Sequence, residues 1–359
     1  MPGVWWRAML VLSLFAACNG CAACIELPAN VNDDDRADSG GDSAVDQDSA
    51  APPDTGPPPM CEVELTDDDN FDDDYKTPVP IPTEAWVCSH FDAPLDFEVL
   101  QFQTQSGGWV KVDAQAASRG SSADLHLGVA LASDDSEACG KYSSPSTTDP
   151  ALVWLTSSPA KWNATLNEEE YGYGDKYPWW LIASEVKSPV AYTQTETDSD
   201  HATVATALPL TRDDTVLAWL KTEGGHDFWR IEMNGDNHLY VDTNAAEFGS
   251  AANPAINLYK IRNDADCSAQ AEGAACGTPN KDGIVPGSCQ TTPDGRECVD
   301  FMWKDSEGVE DWNPDSYVDA EVTEEPAVMY LEVFDEGTGC ADEFLWYTIS
   351  FSTTYVSEE

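Results

Sequence analysis

The sequence predicts an all-β protein: two tandem antiparallel, jelly-roll-like β-sandwiches after a disordered acidic linker. Three observations predict it. Apolar and polar residues alternate at period two in many short runs. Gly, Pro, Asp and Asn punctuate those runs as turn formers do, and no long helical stretch interrupts them. The chain also repeats itself: "LDFEVLQFQTQSGGWVKVDAQAA", from Leu95, is echoed by "HDFWRIEMNGDNHLYVDTNAA", from His226. Each copy has an Asp-Phe, a short run, a polar turn, a second run ending Val-Asp, and an alanine pair.

Residues 1–17 read as an export signal. Arg7 is a thin positive start, and Ala8 to Ala17 is an apolar stretch too short to span a bilayer as a helix. "LFAAC", ending at Cys18, resembles a bacterial lipobox, in which Cys18 would carry the lipid. Phe15 departs from the usual Leu, and Cys21 and Cys24 offer competing cleavage points. Asn19 after the cysteine favours the outer membrane by the same resemblance. A lipid-anchored place at the outer membrane or cell surface is expected, with plain secretion as the alternative. Residues 18–60 are an Asp- and Pro-rich tether with almost no apolar residues. Such a segment cannot bury enough surface to offset its ordering entropy.

From Cys61 the texture changes. Val110, Val112 and Ala114 alternate with Trp109, Lys111 and Asp113. Leu125, Leu127, Val129 and Leu131 alternate with His126, Gly128 and Ala130. Trp229, Ile231 and Met233, then Met329, Leu331 and Val333, then Tyr347, Ile349 and Phe351 follow the same rule. One apolar face at period two means half-buried antiparallel strands. The repeat pairs Phe97 with Phe228, Val112-Asp113 with Val241-Asp242, Leu127 with Ile256, and Cys139 with Cys267. Trp86 and Trp219 stand at similar distances before the Asp-Phe. The two sandwiches are therefore expected at 61–198 and 199–359. Within the second, 264–300 is rich in Gly, Pro and Cys and lacks strand periodicity, so an irregular loop insertion is expected. Its four cysteines, Cys267, Cys276, Cys289 and Cys298, have no CxxC zinc spacing and read as disulfide staples in an exported chain. Three connectivities are possible; the nested one, Cys267 with Cys298 and Cys276 with Cys289, is the working expectation.

Sixty-six acidic residues against seventeen basic ones give a formal charge of −49. That charge repels nucleic acid and anionic lipid surfaces, and it suits divalent cations. "DDDNFDDDY" begins at Asp67. Its Asp67, Asp68, Asp69, Asn70, Asp72, Asp73 and Asp74 are oxygen ligands of the kind Ca²⁺ takes, without the fixed spacing of a calcium loop. The rival reading is a solvated acidic linker. "TDSDH", ending at His201, is the corresponding lead-in of the second copy. Calcium is the one cofactor these runs suggest. No HExxH, nucleophile elbow or phosphate loop is present, so no catalytic residue is assigned. His226, Asp227, Asp236 and His238 could meet across a hairpin turn, which polar hairpin residues explain equally well. Tyr177, Trp179 and Trp180 in "YPWWL" could form a stacking platform for sugars, although alternation assigns many of the tryptophans to the core.

The Asp–aromatic strand start, the hydrophobic alternation closing on Asp, and the next alternating strand together resemble the bacterial pre-peptidase C-terminal domain. The matching residues are Asp96-Phe97, Val110, Val112, Asp113 and Leu125 to Leu131. In the second copy they are Asp227-Phe228, Leu239, Val241, Asp242, Ile256 and Leu258. The resemblance covers most of 67–135 and 199–261. It implies a jelly-roll-like sandwich in a secreted protein, not itself catalytic, with calcium near the first strand in some members and matrix polymers bound by others. No peptidase domain is attached here, and the cysteine-rich insertion is extra. The function expected is a non-enzymatic cell-surface lipoprotein, a binding or spacer module stabilised by calcium. The alternative is an adhesin for carbohydrate or matrix protein that uses exposed aromatics; a hydrolase is disfavoured. Neither reading involves nucleic acid.

Overall fold

Alternating runs this short bury one face each and need a second sheet to cover it, and the computed structural model shows that arrangement twice. It describes residues 61–65, 77–94, 96–133, 139–142, 149–168, 172–196, 201–221, 225–233, 238–262, 265–279, 287–305, 316–321, 328–335 and 340–353. The export signal, Cys18, the tether and the acidic run Asp67 to Asp74 lie outside these residues. Among the described residues no helix is long and apolar enough to cross a membrane.

The strands of the first copy are β1 (Val63–Glu64), β2 (Val79–Pro80), β3 (Val87–His90), β4 (Phe97–Gln103), β5 (Gly108–Gln115), β6 (Leu125–Leu131), β7 (Cys139–Tyr142), β8 (Ala151–Thr156), β9 (Lys161–Glu168) and β10 (Pro178–Val186). The second copy has β11 (Gln194–Thr195), β12 (Leu208–Leu210), β13 (Thr215–Trp219), β14 (His226–Glu232), β15 (His238–Asn244), β16 (Pro254–Arg262), β17 (Ala275–Cys276), β18 (Gly287–Thr292), β19 (Gly295–Asp305), β20 (Tyr317–Glu321), β21 (Val328–Asp335) and β22 (Trp346–Ser352). Sheet I runs β1-β3-β10-β5-β8 and sheet II runs β2-β4-β9-β6-β7. Sheet III runs β11-β13-β22-β15-β20, and sheet IV runs β12-β14-β21-β16-β19-β18-β17. Position for position, III repeats I and IV repeats II, with β17 and β18 added at one edge. Each sheet is antiparallel except for one parallel edge pair: β1 with β3, β2 with β4, β11 with β13, and β12 with β14. β11 already belongs to the second sandwich although it precedes residue 199.

The strand pairing corrects the sequence alignment of the copies. Leu127 and Ile256 occupy equivalent places in β6 and β16, and their partners across the sheet are Leu166 and Val333. Those residues in turn face Glu98 in β4 and Asp227 in β14. Glu98, not Asp96, is thus the counterpart of Asp227, and His226 that of Phe97. A displacement of 129 residues then relates Val79 to Leu208, Val87 to Val216, and Val112 to Val241. It makes Thr215, not Trp219, the counterpart of Trp86. A two-residue slip keeps every side chain on its own face, so alternation alone could not reject the Asp-Phe match.

Where the copies differ, the differences follow their contact. On the outer face of sheet I, Trp109 and Val153 are buried against Leu217 and Trp346 of sheet III. Trp109 and Trp346 meet edge to face at 5.1 Å, and Trp346 Nε1 donates to Val153 O at 2.7 Å. In the second copy the same two positions hold His238 and Asp319, an exposed polar pair with Nε2 2.9 Å from Oδ1. The face is apolar where the other sandwich covers it and polar where it is open. Gly249 shows the same selectivity. It closes a 3₁₀ turn at φ +92°, a left-handed conformation that favours glycine, and a Cβ there would lie 2.6 Å from Val153 Cγ2. Its counterpart Gly120 has the same conformation, at φ +83°, and open space around it.

The insertion is not irregular. β18 and β19 form a hairpin in which Thr292 pairs with Gly295 around Pro293-Asp294. The disulfides within it are interleaved, Cys267–Cys289 and Cys276–Cys298, and not nested. Cys289 and Cys298 stand opposite each other on the hairpin, while Cys276 faces Gly287 from β17. A Cβ on Gly287 would come within 2.8 Å of Cys298 Sγ, so the missing side chain leaves room for that sulfur to reach Cys276. Cys139 is not paired as a repeat of Cys267 would be; it joins Cys340 of the second sandwich. Cys61–Cys88 fastens the start of the first. The described residues thus contain four disulfides, and the folded part of the chain belongs to an oxidising compartment.

Candidate functional site

Tyr177, Trp179 and Trp180 do not make a common platform. Trp179 is fully buried between sheets I and II, 6.5 Å from Phe91, because inward and outward positions alternate along β10. A sugar cannot stack on that ring. Tyr177 packs partly buried against the same core. Trp180 faces the other way and, with Trp86, flanks the Arg119 guanidinium, whose carbon lies 4.3 Å from the Trp86 ring centre and 5.0 Å from that of Trp180. Burial lowers the Arg119 pKa, against the pull of Asp113 and Asp149. His226 and His238 also stay apart: β14 lies in sheet IV and β15 in sheet III, so the connection between them crosses the sandwich.

The structure instead gathers residues from three separate segments at the start of the second sandwich. Glu196 follows β11, His201 precedes β12, and Asp227 lies on β14. Their side chains are 5%, 1% and 8% exposed. His201 Nε2 lies 3.0 Å from Glu196 Oε1 and 3.5 Å from Asp227 Oδ1. His201 Nδ1 is 3.1 Å from Phe228 O, which can only accept, so Nδ1 carries a proton. The remaining oxygens are held too. Glu196 Oε2 accepts from Trp219 N at 3.3 Å, and Asp227 Oδ2 accepts from the Tyr347 hydroxyl at 2.7 Å. That hydroxyl itself accepts from Trp229 Nε1 at 3.0 Å. Burial pushes the Asp227 carboxyl up to about 6, with His201 opposing. Burial works to lower the His201 pKa, but Glu196, Asp227 and the Phe228 carbonyl outweigh it and the shift is upward. Burial raises the Tyr347 phenol well above its ordinary value.

A second group lies on the outer face of sheet IV. Glu332 on β21 accepts from His226 Nδ1 at 2.8 Å, from Asn257 Nδ2 at 2.6 Å and from the Tyr259 hydroxyl at 2.5 Å. Aromatic rings surround it. His226 stacks on Phe334 at 5.6 Å, and Tyr259 meets Phe301 edge to face at 5.7 Å. Phe301 is 50% exposed. Burial and the Glu332 carboxylate raise the Tyr259 phenol, so the hydroxyl stays a donor. The network spans β14, β21, β16 and β19, four adjacent strands of sheet IV.

Neither group was assigned from the sequence. Of the first, His201 falls in "TDSDH", the second copy's lead-in, and Asp227 in the Asp-Phe strand start and the hairpin group, while Glu196 carries no sequence signal. Of the second, His226 was considered only as a hairpin residue. The acidic run Asp67 to Asp74 lies outside the described residues. Cys267, Cys276 and Cys289 lie close together, but their sulfurs are engaged in disulfides and so are not thiolate ligands.

No protein-family model matches the chain, and no curated protein matches it. Among solved structures it is similar to the CUB1-EGF-CUB2 domain of human MASP-1/3, at 7% identity and a TM-score of 0.20 over 74% of this chain and 99% of that one. It is also similar to the tandem CBM51 modules of the family 98 glycoside hydrolase from Streptococcus pneumoniae. There the identity is 8% and the TM-score 0.20, over 76% of this chain and 85% of that one. Likeness at this level carries no argument about function.

Proposed function

We propose that the chain is a non-enzymatic, lipid-anchored cell-surface protein whose second sandwich binds polysaccharide on the outer face of sheet IV. The observation that carries this reading is the Glu332 network with Phe301 beside it. Sugar rings present C–H faces that pack on aromatic side chains, and hydroxyls that pair with fixed polar groups. Here both kinds of partner sit on one sheet face, and the polar ones are preorganised by their bonds to Glu332. A chain of charge −49 repels polyanions, so the ligand is a neutral or amino-bearing glycan. The Asp- and Pro-rich residues 18–60 would hold the sandwiches away from the membrane, with Cys18 carrying the lipid.

A glycan array probed with the mature chain tests the binding. Phe301→Ala should weaken retention of the bound glycan by about tenfold or more while the fold persists, since the ring is half exposed. Retention of no glycan by the wild type, or equal retention by the variant, would sink the reading. The anchor is tested separately by feeding labelled palmitate to expressing cells. Label is expected in the wild type and absent from Cys18→Ser; an unlabelled wild type, or label retained by the variant, overturns lipidation at Cys18.

A further inference from the structure

We propose that Glu196, His201 and Asp227 form a buried site for a divalent transition ion of the zinc class, one that fastens the lead-in of the second sandwich to its sheets. The proposal stands apart from the glycan reading, and it differs in chemistry from a calcium site, which takes oxygen ligands alone.

Donor spacing comes first. Zinc lies about 2.0–2.2 Å from nitrogen and carboxylate ligands, which puts neighbouring donor atoms roughly 3.0–3.5 Å apart. His201 Nε2 is 3.0 Å from Glu196 Oε1 and 3.5 Å from Asp227 Oδ1. All three donors lie within 4.8 Å of one another. The atoms that would not touch the ion come next. His201 Nδ1–H donates to Phe228 O, Trp219 N–H donates to Glu196 Oε2, and the Tyr347 hydroxyl donates to Asp227 Oδ2. Each ligand is therefore oriented through its far atom, as the outer partners of metal ligands do, and the histidine is set to offer Nε2. The third consideration is charge. A divalent ion matches the charge of two ligating carboxylates beside a neutral imidazole, and any proton on Nε2 leaves to solvent when the ion binds.

Among its described residues the first sandwich does not repeat this set. Leu65 stands where Glu196 does: their N–H groups bond Cys88 O and Leu217 O, equivalent residues of β3 and β13. Glu98 is at the place of Asp227 and is buried as well, but it has no Glu196 counterpart beside it.

The test uses the mature full chain, stripped with a chelator and titrated with Co²⁺ and then Zn²⁺. Bound Co²⁺ should show the visible absorption of a low-coordinate site, discharged by Zn²⁺, and Zn²⁺ should raise Tm. In wild-type chain carrying ¹⁵N-histidine, the Nε2 resonance of one of the five histidines should move on zinc addition. The band should vanish in His201→Gln, with native near-ultraviolet dichroism confirming its fold. No band and no shifted histidine in the wild type would mean that the cluster is only an ion pair. Equal binding by His201→Gln would assign the ion to surface carboxylates. Either result overturns the site, and the histidine spectrum decides even if the variant fails to fold.

Discussion

Phe344→Ala is expected to lower the unfolding free energy by about 3–5 kcal/mol, among the larger losses a single side chain can cause. The ring is fully buried, yet it belongs to the second sandwich and lies in a 3₁₀ turn, Asp342–Phe344, just before β22. Its neighbours are in the first: Trp154 on β8 at 5.1 Å and Trp162 on β9 at 6.1 Å. Those two tryptophans also meet each other at 5.0 Å. Truncation would leave a gap walled by rings that their own strands hold in place, so the site could collapse only in part, and the unfilled volume adds to the lost transfer energy. The backbone role of Phe344 would survive, because its carbonyl still accepts from Ala251 N and Ser250 Oγ. The corresponding carbonyl of the first copy belongs to Lys176, an exposed residue that accepts from Ser122 N. Urea unfolding followed by tryptophan fluorescence measures the loss. A loss below about 1 kcal/mol would show that the wedge does not couple the sandwiches.

Much of the architecture was legible because it rests on period two. Val110, Val112 and Ala114 are buried, as are Trp229, Ile231 and Met233, and Tyr347, Ile349 and Phe351, each from one face of one strand. The same periodicity explains the misreadings. It could not fix register, so Asp96-Phe97 was matched to Asp227-Phe228 two residues out of place. It also could not see β18 and β19, whose "GSCQTT" and "GRECVD" carry little apolar alternation: these strands extend beyond the main core and are tied by disulfides. Trp109 breaks the expected alternation for a different reason. It faces outward from its own sandwich and inward toward the other, and a single-domain reading has no place for such a residue. The candidate sites were less legible still. Glu196, His201 and Asp227 come together only through three strand pairings, and Glu332 lies 73 residues or more from Asn257, Tyr259 and His226. No local spacing marks either group.

Removal of the Cys139–Cys340 disulfide, by the double change Cys139→Ser and Cys340→Ser, should destabilise the protein by about 5 kcal/mol if the bond acts by restricting the unfolded chain. The magnitude follows from the size of the loop. The other three disulfides span 22 to 27 residues and staple local structure; this one spans 201. It is also the one disulfide among the described residues that joins the two sandwiches, tying β7, at the edge of sheet II, to the segment between β21 and β22. Cys340 lies four residues before Phe344, so the covalent tie and the aromatic wedge act on the same short segment. Two consequences separate them. With the disulfide gone but Phe344 in place, the sandwiches should remain packed at 25 °C while the cooperative transition moves to lower temperature. With both removed, the coupling rests on the cluster of Trp109, Val153, Leu217 and Trp346 and on the hydrogen bonds of Val153 to Trp346 and Gly249, and calorimetry should show a broadened transition that begins to separate into one for each sandwich. An unchanged Tm in the double serine variant, alongside a wild type shown by thiol titration to be oxidised at Cys139, would refute the entropic account and leave the wedge as the main coupling.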